Sequence, residues 1–383
     1  MADKLENLAK LYIEPTIQCN LDCRACVRNV WDEPAAGKMQ AAIFDGIIEG
    51  LRSLPTPPKI IFGGFGEPLL HPGIADMVAR VKPLSTSVEL ITNATLLTPG
   101  ISKELITAGL DVLWISLDGA TPENYADIRL GAALPQVLEN IAGFRKAIHF
   151  EYSQALQNGG TVPDNATQLG VAFVAMKRNI TDLPEVIDIG RRMGAHHYLV
   201  TNVLPYTKEI VEEVLNYRAL DQINLSQAKF SVMDIDEITS APVISALQGK
   251  NITFTISNSK ISRDRCPFIE SGACAVSWDG NLSPCLPLLH SHTGYLSYLD
   301  RAVSGERFSR RWTIGNLKDH NLTGLWNRLE HVAFRERVQA FNFPPCTSCG
   351  GCNLSHNNDE DCFGNEFPTC GGCLWSRGVI QCP

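Results

Sequence analysis

Thirteen cysteines are spread so unevenly along 383 residues that they constrain the fold before any element is assigned. Three fall within residues 19–26, none within 27–265, and ten within 266–382. The first three, Cys19, Cys23 and Cys26, form C-x3-C-x2-C directly behind the first apolar run. Three thiolates held that close on a loop can each take one iron of a cubane [4Fe–4S] cluster. The fourth iron then lacks a protein ligand and is a reactive position rather than a wire. Structural zinc prefers four ligands, commonly as two Cys pairs, and the next cysteine is Cys266, so a closed local zinc site is not supported. Scattered buried thiols are the bland alternative.

A disulfide scaffold of this density is normally short and exported. This chain is long and has an odd cysteine count, and its opening MADKLENLAK lacks an apolar stretch of signal-peptide length. Metal sites in a reducing cytoplasm explain the distribution better. The net charge is −8, with no Lys/Arg run of five or more, so nucleic acid is not an expected partner. No run approaches the length of a membrane span, so no membrane partner is expected either.

Short β-rich runs alternate with helix-length segments from residue 10 to about 205. The strand candidates are Leu11–Ile17, Lys59–Phe62, Val88–Thr92, Val112–Leu117, Gly170–Met176 and Tyr198–Val203. Between them lie Ala41–Leu54, Ile74–Val81, Ser102–Ala108, Gln136–Leu156 and Leu183–Met193, the first with Ile43, Ile47, Leu51 and Leu54 at helical spacing. Such units predict an α/β fold of parallel strands with right-handed crossovers, either doubly wound or an incomplete barrel. In both, the chemistry belongs at the strands' C-terminal ends. Asn158–Asn165 reads as an exposed linker, and residues 206–262 as a bridging segment that becomes strand-like at Ile252–Ile256. From Arg263 onward the chain turns Cys/Gly/Pro-rich, with too little periodicity to build much core unless metal sites stabilise it.

The strand ends carry the candidate motifs. The first delivers the cysteine triad and the second runs into Gly63-Gly64-Phe65-Gly66-Glu67-Pro68, where glycines admit a ligand close to the backbone and Glu67 offers a carboxylate. The third ends Thr92-Asn93-Ala94. The fourth ends Ser116-Leu117-Asp118-Gly119, followed by Tyr125 and Arg129 on an expected helix. Singly each reads as structural; their succession beside the triad does not.

Together these segments resemble the radical S-adenosylmethionine (SAM) superfamily over roughly residues 10–205. The resemblance implies a partial (β/α)6 barrel with SAM bound to the open iron through its amino and carboxylate groups. By matching position, Gly64, Gly66 and Glu67 would hold the methionyl ammonium, and Ser116 and Arg129 the carboxylate. Asn93, Val203 and Leu204 would line the nucleoside side. The sequence departs from the family at Ala25, where an aromatic often packs on adenine, in the extra residue of the glycine loop, and at Ala94, where glycine is common.

Cys266, thirteen residues, Gly280, four residues and Cys285 are similar to the opening of a SPASM domain, which implies two auxiliary [4Fe–4S] clusters. This C-terminal Cys-rich iron–sulfur unit is placed at 263–383, after a barrel at 1–205. Its other candidate ligands are Cys274, Cys346, Cys349, Cys352, Cys362, Cys370, Cys373 and Cys382, ten cysteines where two full clusters need eight. Paired zinc ribbons, or one cluster plus a zinc, are the alternatives. The sulfatase-maturing relatives place a catalytic Asp where this chain has Leu286, so their oxidation chemistry is not expected. Arg28–Pro34 reads as a packed turn rather than a substrate loop, and His196-His197 as packing or solvent-facing residues.

CNLDCRACVRNVWDEPAAGKM and PTCGGCLWSRGVIQCP resemble the maturases of tungsten-cofactor oxidoreductases. That implies an enzyme cleaving SAM reductively to modify a peptide, a protein or a metalloenzyme cofactor, supplied with electrons by a ferredoxin or flavodoxin. A ribosomal-peptide modifier forming thioether or carbon–carbon links, a small-molecule radical dehydrogenase, and a non-catalytic iron–sulfur or zinc adaptor are the other readings.

Overall fold

The computed structural model describes residues 7–31, 33–34, 37–157, 166–215, 224–225, 228–230, 233–248, 254–255, 265–295, 305–346 and 352–383. The linker at 158–165 and Cys349 therefore lie outside the described residues, as does most of the 252–256 strand. Among the described residues no helix is long and apolar enough to cross a membrane.

The six expected strands are present: β1 (Lys10–Ile13), β2 (Lys59–Phe62), β3 (Ser87–Thr92), β4 (Val112–Ser116), β5 (Gln168–Ala175) and β6 (Ala195–Asn202). They pair in sequence order, all parallel, with helices in the crossovers. β1 stops at Ile13 rather than Ile17, because Pro15 has no N–H to continue the ladder. The crossover helix between β3 and β4 starts at Pro99, three residues before the expected Ser102, with the Thr98 hydroxyl capping the Ile101 N–H.

Both edges of this six-stranded unit are extended. Beyond β6 lie three short strands, β7 (Asn224–Leu225), β8 (Ala228–Phe230) and β9 (Phe254–Thr255). Beyond β1 lies β10 (Ala273–Val276), parallel to it with Leu11 beside Cys274 and Tyr12 beside Ala275. β11 (Asn281–Ser283) follows antiparallel, while β12 (His292–Tyr295) and β13 (Glu306–Ser309) form a separate hairpin and β14 (Gly315–Asn316) closes the edge beyond β11. The Cys-rich region therefore does build regular structure, by lending strands to the sheet that carries the triad.

Strand alternation divides the side chains between two faces. Leu11, Ile13, Ile60, Phe62, Cys274 and Val276 join the main core with the crossover helices. Tyr12, Ile61, Ala273 and Ala275 face the other way and pack with Phe268 and Leu289. That face is crossed by residues 375–383. Asn202 Nδ2 donates to the Val379 carbonyl at 2.9 Å, the Gln381 N–H to Thr201 Oγ1 at 2.9 Å, and Tyr12 Oη to the Pro383 carbonyl at 2.9 Å. This segment ties β6 to β1 across the open side of the partial barrel.

Cys274, one of the candidate ligands, falls on the core side of β10. It is fully buried on the helix-packed face, beside Leu11 in register, and its thiol is pushed up by burial alone apart from the opposing Arg335 guanidinium. No other cysteine charge reaches it strongly enough to shift it.

A buried ion bridge makes the second tie between the two halves of the chain. Glu14, just past β1, accepts the Phe65 N–H at 3.0 Å and meets His290 Nε2 at 2.8 Å. On the opposite side of the ring, Nδ1 lies 3.2 Å from Glu33, whose carboxylate is 3.7 Å from Arg311. Trp31 and Phe65 stack edge-on against the imidazole, with centroids at 5.0 and 5.7 Å. Residues 27–31 and 33–34 are thus packed, clamped over the strand ends by the C-terminal region. Burial opposes the imidazolium, but Glu14 first and then Glu33 outweigh it and raise the His290 pKa to about 9.

Two outcomes follow from these placements. Cys274→Val should leave the iron content unchanged, whereas Cys274→Ser should lower stability by about 1–3 kcal/mol through an unsatisfied buried hydroxyl; iron assays and thermal melts distinguish the two. Since the folded pKa of His290 lies above the ordinary 6.5, its contribution is complete below about pH 6.5 and is lost as pH rises through about 9. The apparent Tm measured anaerobically should therefore fall between pH 7 and 10 by an amount equivalent to roughly 2 kcal/mol, and His290→Gln should flatten that slope.

Candidate iron–sulfur and cofactor site

After β1 the chain turns through Thr16, whose hydroxyl donates to the Gly37 carbonyl at 2.6 Å and accepts the Gln18 N–H at 3.0 Å. This closes the base of a loop, residues 19–37, that presents the triad. Its outer limb is held against the segment after the fourth strand: Asp22 N–H donates to the Leu130 carbonyl and Arg24 N–H to that of Ile128, both at 3.1 Å. Arg24 also pairs with Asp127 at 3.0 Å, and Arg178 bridges Asp127, Glu209 and Glu213 at 2.9 Å each.

Cys19, Cys23 and Cys26 are brought together on this loop. Burial raises the Cys23 pKa, against the pull of Arg129, and raises that of Cys26 to about 11, with Cys23 and Cys19 adding to it. Thiols in this state ligate only when a metal displaces their protons, which are released to solvent. Among the described residues no three His, Cys, Asp or Glu side chains converge to hold a single metal ion. A cubane asks for a different geometry, one thiolate on each of three iron corners.

The glycine loop after β2 lies against the backbone leading to the triad. A Cβ on Gly66 would sit 2.1 Å from the Thr16 carbonyl oxygen, so only glycine permits the approach, and the next N–H, Glu67, donates to the Gln18 carbonyl at 2.7 Å. Gly64 adopts φ 134° above Glu14. Glu67 itself is fully engaged in ordering the site. Its buried carboxylate accepts from Leu69 N at 3.1 Å, Thr92 Oγ1 at 2.7 Å and Asn93 N at 2.8 Å. Burial raises its pKa and these three bonds work against the rise. Of about four lone-pair positions on a carboxylate, three are taken. The side chain thus locks the glycine loop to the end of β3, and the direct ammonium contact expected from sequence falls to the remaining position and the loop carbonyls.

Asn93 is buried and faces the triad: Nδ2 donates to Asn20 Oδ1 at 3.1 Å and lies 3.9 Å from Cys19 Sγ. Ala94, in the place of the family's glycine, holds φ 60°. Ser116 ends β4 beside Ala172, half-buried. Arg129, half-buried, lies 2.5 Å from Asp118, whose other oxygen accepts the Val174 N–H at 2.7 Å. Burial opposes the guanidinium charge, but Asp118, then Cys23 and Tyr125, hold its pKa well above the ordinary value. Arg129 Nε and the Tyr125 hydroxyl are both buried without a hydrogen-bond partner. Two orphaned donors beside Cys23 fit an anionic group such as the carboxylate of SAM. Val203 packs with Ile128 and Met176, and Ala25 lies against the same cluster, leaving room where an aromatic would stand. Leu204 points elsewhere, into the cavity described next.

A cavity of about 120 Å³ opens between β6's end and the C-terminal region, lined among others by Tyr206, Trp375, Cys266, Cys285, Cys370 and Cys373. These four thiols come from three separate segments. All four residues are half-buried, and desolvation is the first influence raising each thiol; neighbouring thiols add to it at three of them, Cys266 by Cys373, Cys285 by Cys266, Cys373 and Cys370, and Cys370 by Cys373 and Cys266. Four thiols gathered in this way fit a fully ligated cubane. Cys382 stands apart, accepting from Trp375 Nε1 at 3.3 Å on the inner face. Cys352 and Cys362 are exposed and Cys346 half-buried. Leu286 packs on the inner face, so no carboxylate follows Cys285. His197 bonds Gln168 and lies against Trp114, while His196 is exposed, so neither joins the site.

Several site residues escaped sequence reasoning. Asp118 stood in the strand-end motif without a role, Tyr125 only on the helix, and Glu14 and His290 are 276 residues apart. An acid inside an otherwise apolar strand end was the one available signal for Glu14.

Comparison with known proteins agrees with this geometry. Residues 13–159 match the radical SAM superfamily, and residues 266–353 match SPASM, an iron–sulfur cluster-binding domain. The chain is 29% identical over 380 residues to the tungsten-containing aldehyde ferredoxin oxidoreductase cofactor-modifying protein of Pyrococcus furiosus, covering 97% of this chain and 96% of that protein. Among solved structures, Streptococcus suis SuiB bound to S-adenosylmethionine aligns with TM-score 0.57 at 14% identity, covering 91% of this chain and 74% of that one. Native anSMEcpe with bound AdoMet aligns with TM-score 0.56 at 15% identity, covering 96% and 95%. The chain thus carries a radical SAM superfamily domain in its partial barrel and a SPASM iron–sulfur cluster-binding domain behind it.

Proposed function

We propose that this enzyme is a maturase that modifies the cofactor of a tungsten-dependent oxidoreductase by radical chemistry. The observation that carries the reading is similarity to the Pyrococcus furiosus cofactor-modifying protein along nearly the whole of both chains, including the C-terminal region that supplies the second thiol set.

Cys19, Cys23 and Cys26 would hold a [4Fe–4S] cluster that, once reduced, would supply the electron for reductive cleavage of SAM. The chain's own residues do the rest. Glu67 and Asn93 fix the glycine loop to the triad loop. Arg129, oriented by Asp118, and Tyr125 direct donors at the methionyl carboxylate. Val203 and Ala25 form the apolar wall on the nucleoside side. Residues 27–31 and 33–34, clamped by His290, cover the strand ends and exclude water from the radical. Cys266, Cys285, Cys370 and Cys373 hold one auxiliary cluster, and a second set is drawn from Cys346, Cys349, Cys352 and Cys362. Electrons enter from a ferredoxin or flavodoxin of the cytoplasm.

Reduced, reconstituted protein should convert SAM to 5′-deoxyadenosine and methionine, and Cys23→Ala should abolish both products on chromatographic assay; an adaptor would form neither in the wild type. Adding the tungsten oxidoreductase isolated from cells lacking this chain should accelerate 5′-deoxyadenosine formation about tenfold; acceleration by a Cys-rich precursor peptide instead would move the substrate to the peptide class. About twelve irons per chain are expected, falling to about eight in Cys285→Ala, and zinc in place of the lost iron would refute the auxiliary-cluster assignment.

A further inference from the structure

Arg307 is the one cation whose position the chemistry above does not use and which the cavity walls nonetheless single out. It lies on β13 opposite Gly294, with alternate residues Glu306 and Phe308 exposed, so that Arg307 and Ser309 line the cavity. Its guanidinium abuts the turn Cys370-Gly371-Gly372-Cys373, in which the Cys373 N–H donates to the Cys370 carbonyl at 3.0 Å. A Cβ built on Gly372 would lie 2.3 Å from Arg307 Nη1 and 2.9 Å from Cζ. The space a side chain would fill at the centre of the C-x2-C turn is therefore occupied by a positive charge.

That charge has no carboxylate partner among the described residues; its Nη1 donates to the Ser355 carbonyl at 2.8 Å. The second cation facing Cys370, Arg337, is differently placed. Its two terminal nitrogens donate to the carbonyls of Glu366 and Pro368, at 3.0 and 2.9 Å. Burial dominates the Cys370 and Cys373 thiols and raises both, while Arg307 acts on each in the opposite direction. Among the described residues, the groups that face Arg307 are thus the Cys370 and Cys373 thiols, His292 on β12 and the Ser355 carbonyl, none of which carries a negative charge unless the thiols are ligated.

We propose that Arg307 is the counter-charge of the auxiliary cluster held by Cys266, Cys285, Cys370 and Cys373, and that it sets that cluster's reduction potential. The inference rests on the reading of those thiols as ligands. An oxidised cubane with four thiolates carries a net charge of about −2, and reduction adds one more negative charge. A nearby guanidinium in a site screened from water stabilises the reduced form more than the oxidised form, so it raises the potential. Gly372 serves this arrangement by leaving the approach open.

The test is an EPR-monitored redox titration of the full chain, reconstituted anaerobically with Cys19, Cys23 and Cys26 all replaced by Ala. The signal abolished by Cys370→Ala identifies the cluster in question. Arg307→Gln should retain the iron and lower that cluster's midpoint enough to shift its electron-transfer equilibrium about tenfold, which is about 59 mV for one electron. Arg307→Lys should recover most of the shift, and Arg310→Gln, which removes a surface cation paired with Asp359 at 2.8 Å, should leave the midpoint unchanged. An unshifted midpoint in iron-replete Arg307→Gln would overturn the proposal, as would an Arg307→Lys midpoint as low as that of Arg307→Gln. If Arg307→Gln loses the iron, a wild-type-like midpoint in Arg307→Lys supports the role of the charge and a lowered one contradicts it. Should Cys370→Ala remove neither iron nor signal, the ligand reading fails first, and that failure is recognisable on its own.

Discussion

The structure depends on β1 being hydrogen-bonded along both edges. In an open sheet beginning at β1 its outer edge would be free; here β2 takes one side and β10 the other, in register over all four residues. β1 delivers Glu14 and the triad loop. β10 sits between Cys266 on one side and, through β11, Cys285 on the other. One strand therefore relates the two thiol sets, and the C-terminal segment reinforces the relation by bonding Tyr12 on β1 and Thr201 and Asn202 on β6.

Burial decides how the thiols behave. At both sites desolvation is the leading influence, and it holds the cysteines neutral and protonated without metal. Each site also carries a guanidinium placed to favour the opposite charge state, Arg129 beside Cys23 and Arg307 beside Cys370 and Cys373. The two cations differ in one respect. Arg129 is paired with Asp118, which orients it but cancels much of its charge, whereas Arg307 keeps its charge for the cavity. The first arrangement suits directional recognition of a carboxylate; the second suits a general electrostatic offset.

Periodicity and turn chemistry made β1 to β6 legible, because each parallel strand is an apolar run bounded by glycine, proline or acid. The triad was legible for a different reason: three cysteines lie close together with no fourth before Cys266, which suits three corners of a cubane better than a local zinc site. What could not be read is whatever depends on register between distant segments. Ala273–Val276 is a four-residue apolar run that any core could use, and the face on which Cys274 falls is decided only by its pairing with Leu11. Glu67 looked like a ligand for an ammonium because its three partners, Leu69, Thr92 and Asn93, are bonds that only the folded loop creates. The Glu14–His290–Glu33 bridge joins segments that share no motif. Of the ten C-terminal cysteines, proximity selects four that spacing alone could not separate from the rest.

The claim on which the account stands is that the metal at the triad keeps a position to which SAM binds directly. The most direct measurement is electron–nuclear double resonance on the reduced chain, with the auxiliary ligand Cys370 replaced by Ala to simplify the spectrum and SAM labelled with 17O in its carboxylate and 15N in its amino group. The account predicts hyperfine coupling of both labels to the cluster. A cluster spectrum unaltered by labelled SAM, with neither nucleus coupled, would contradict it.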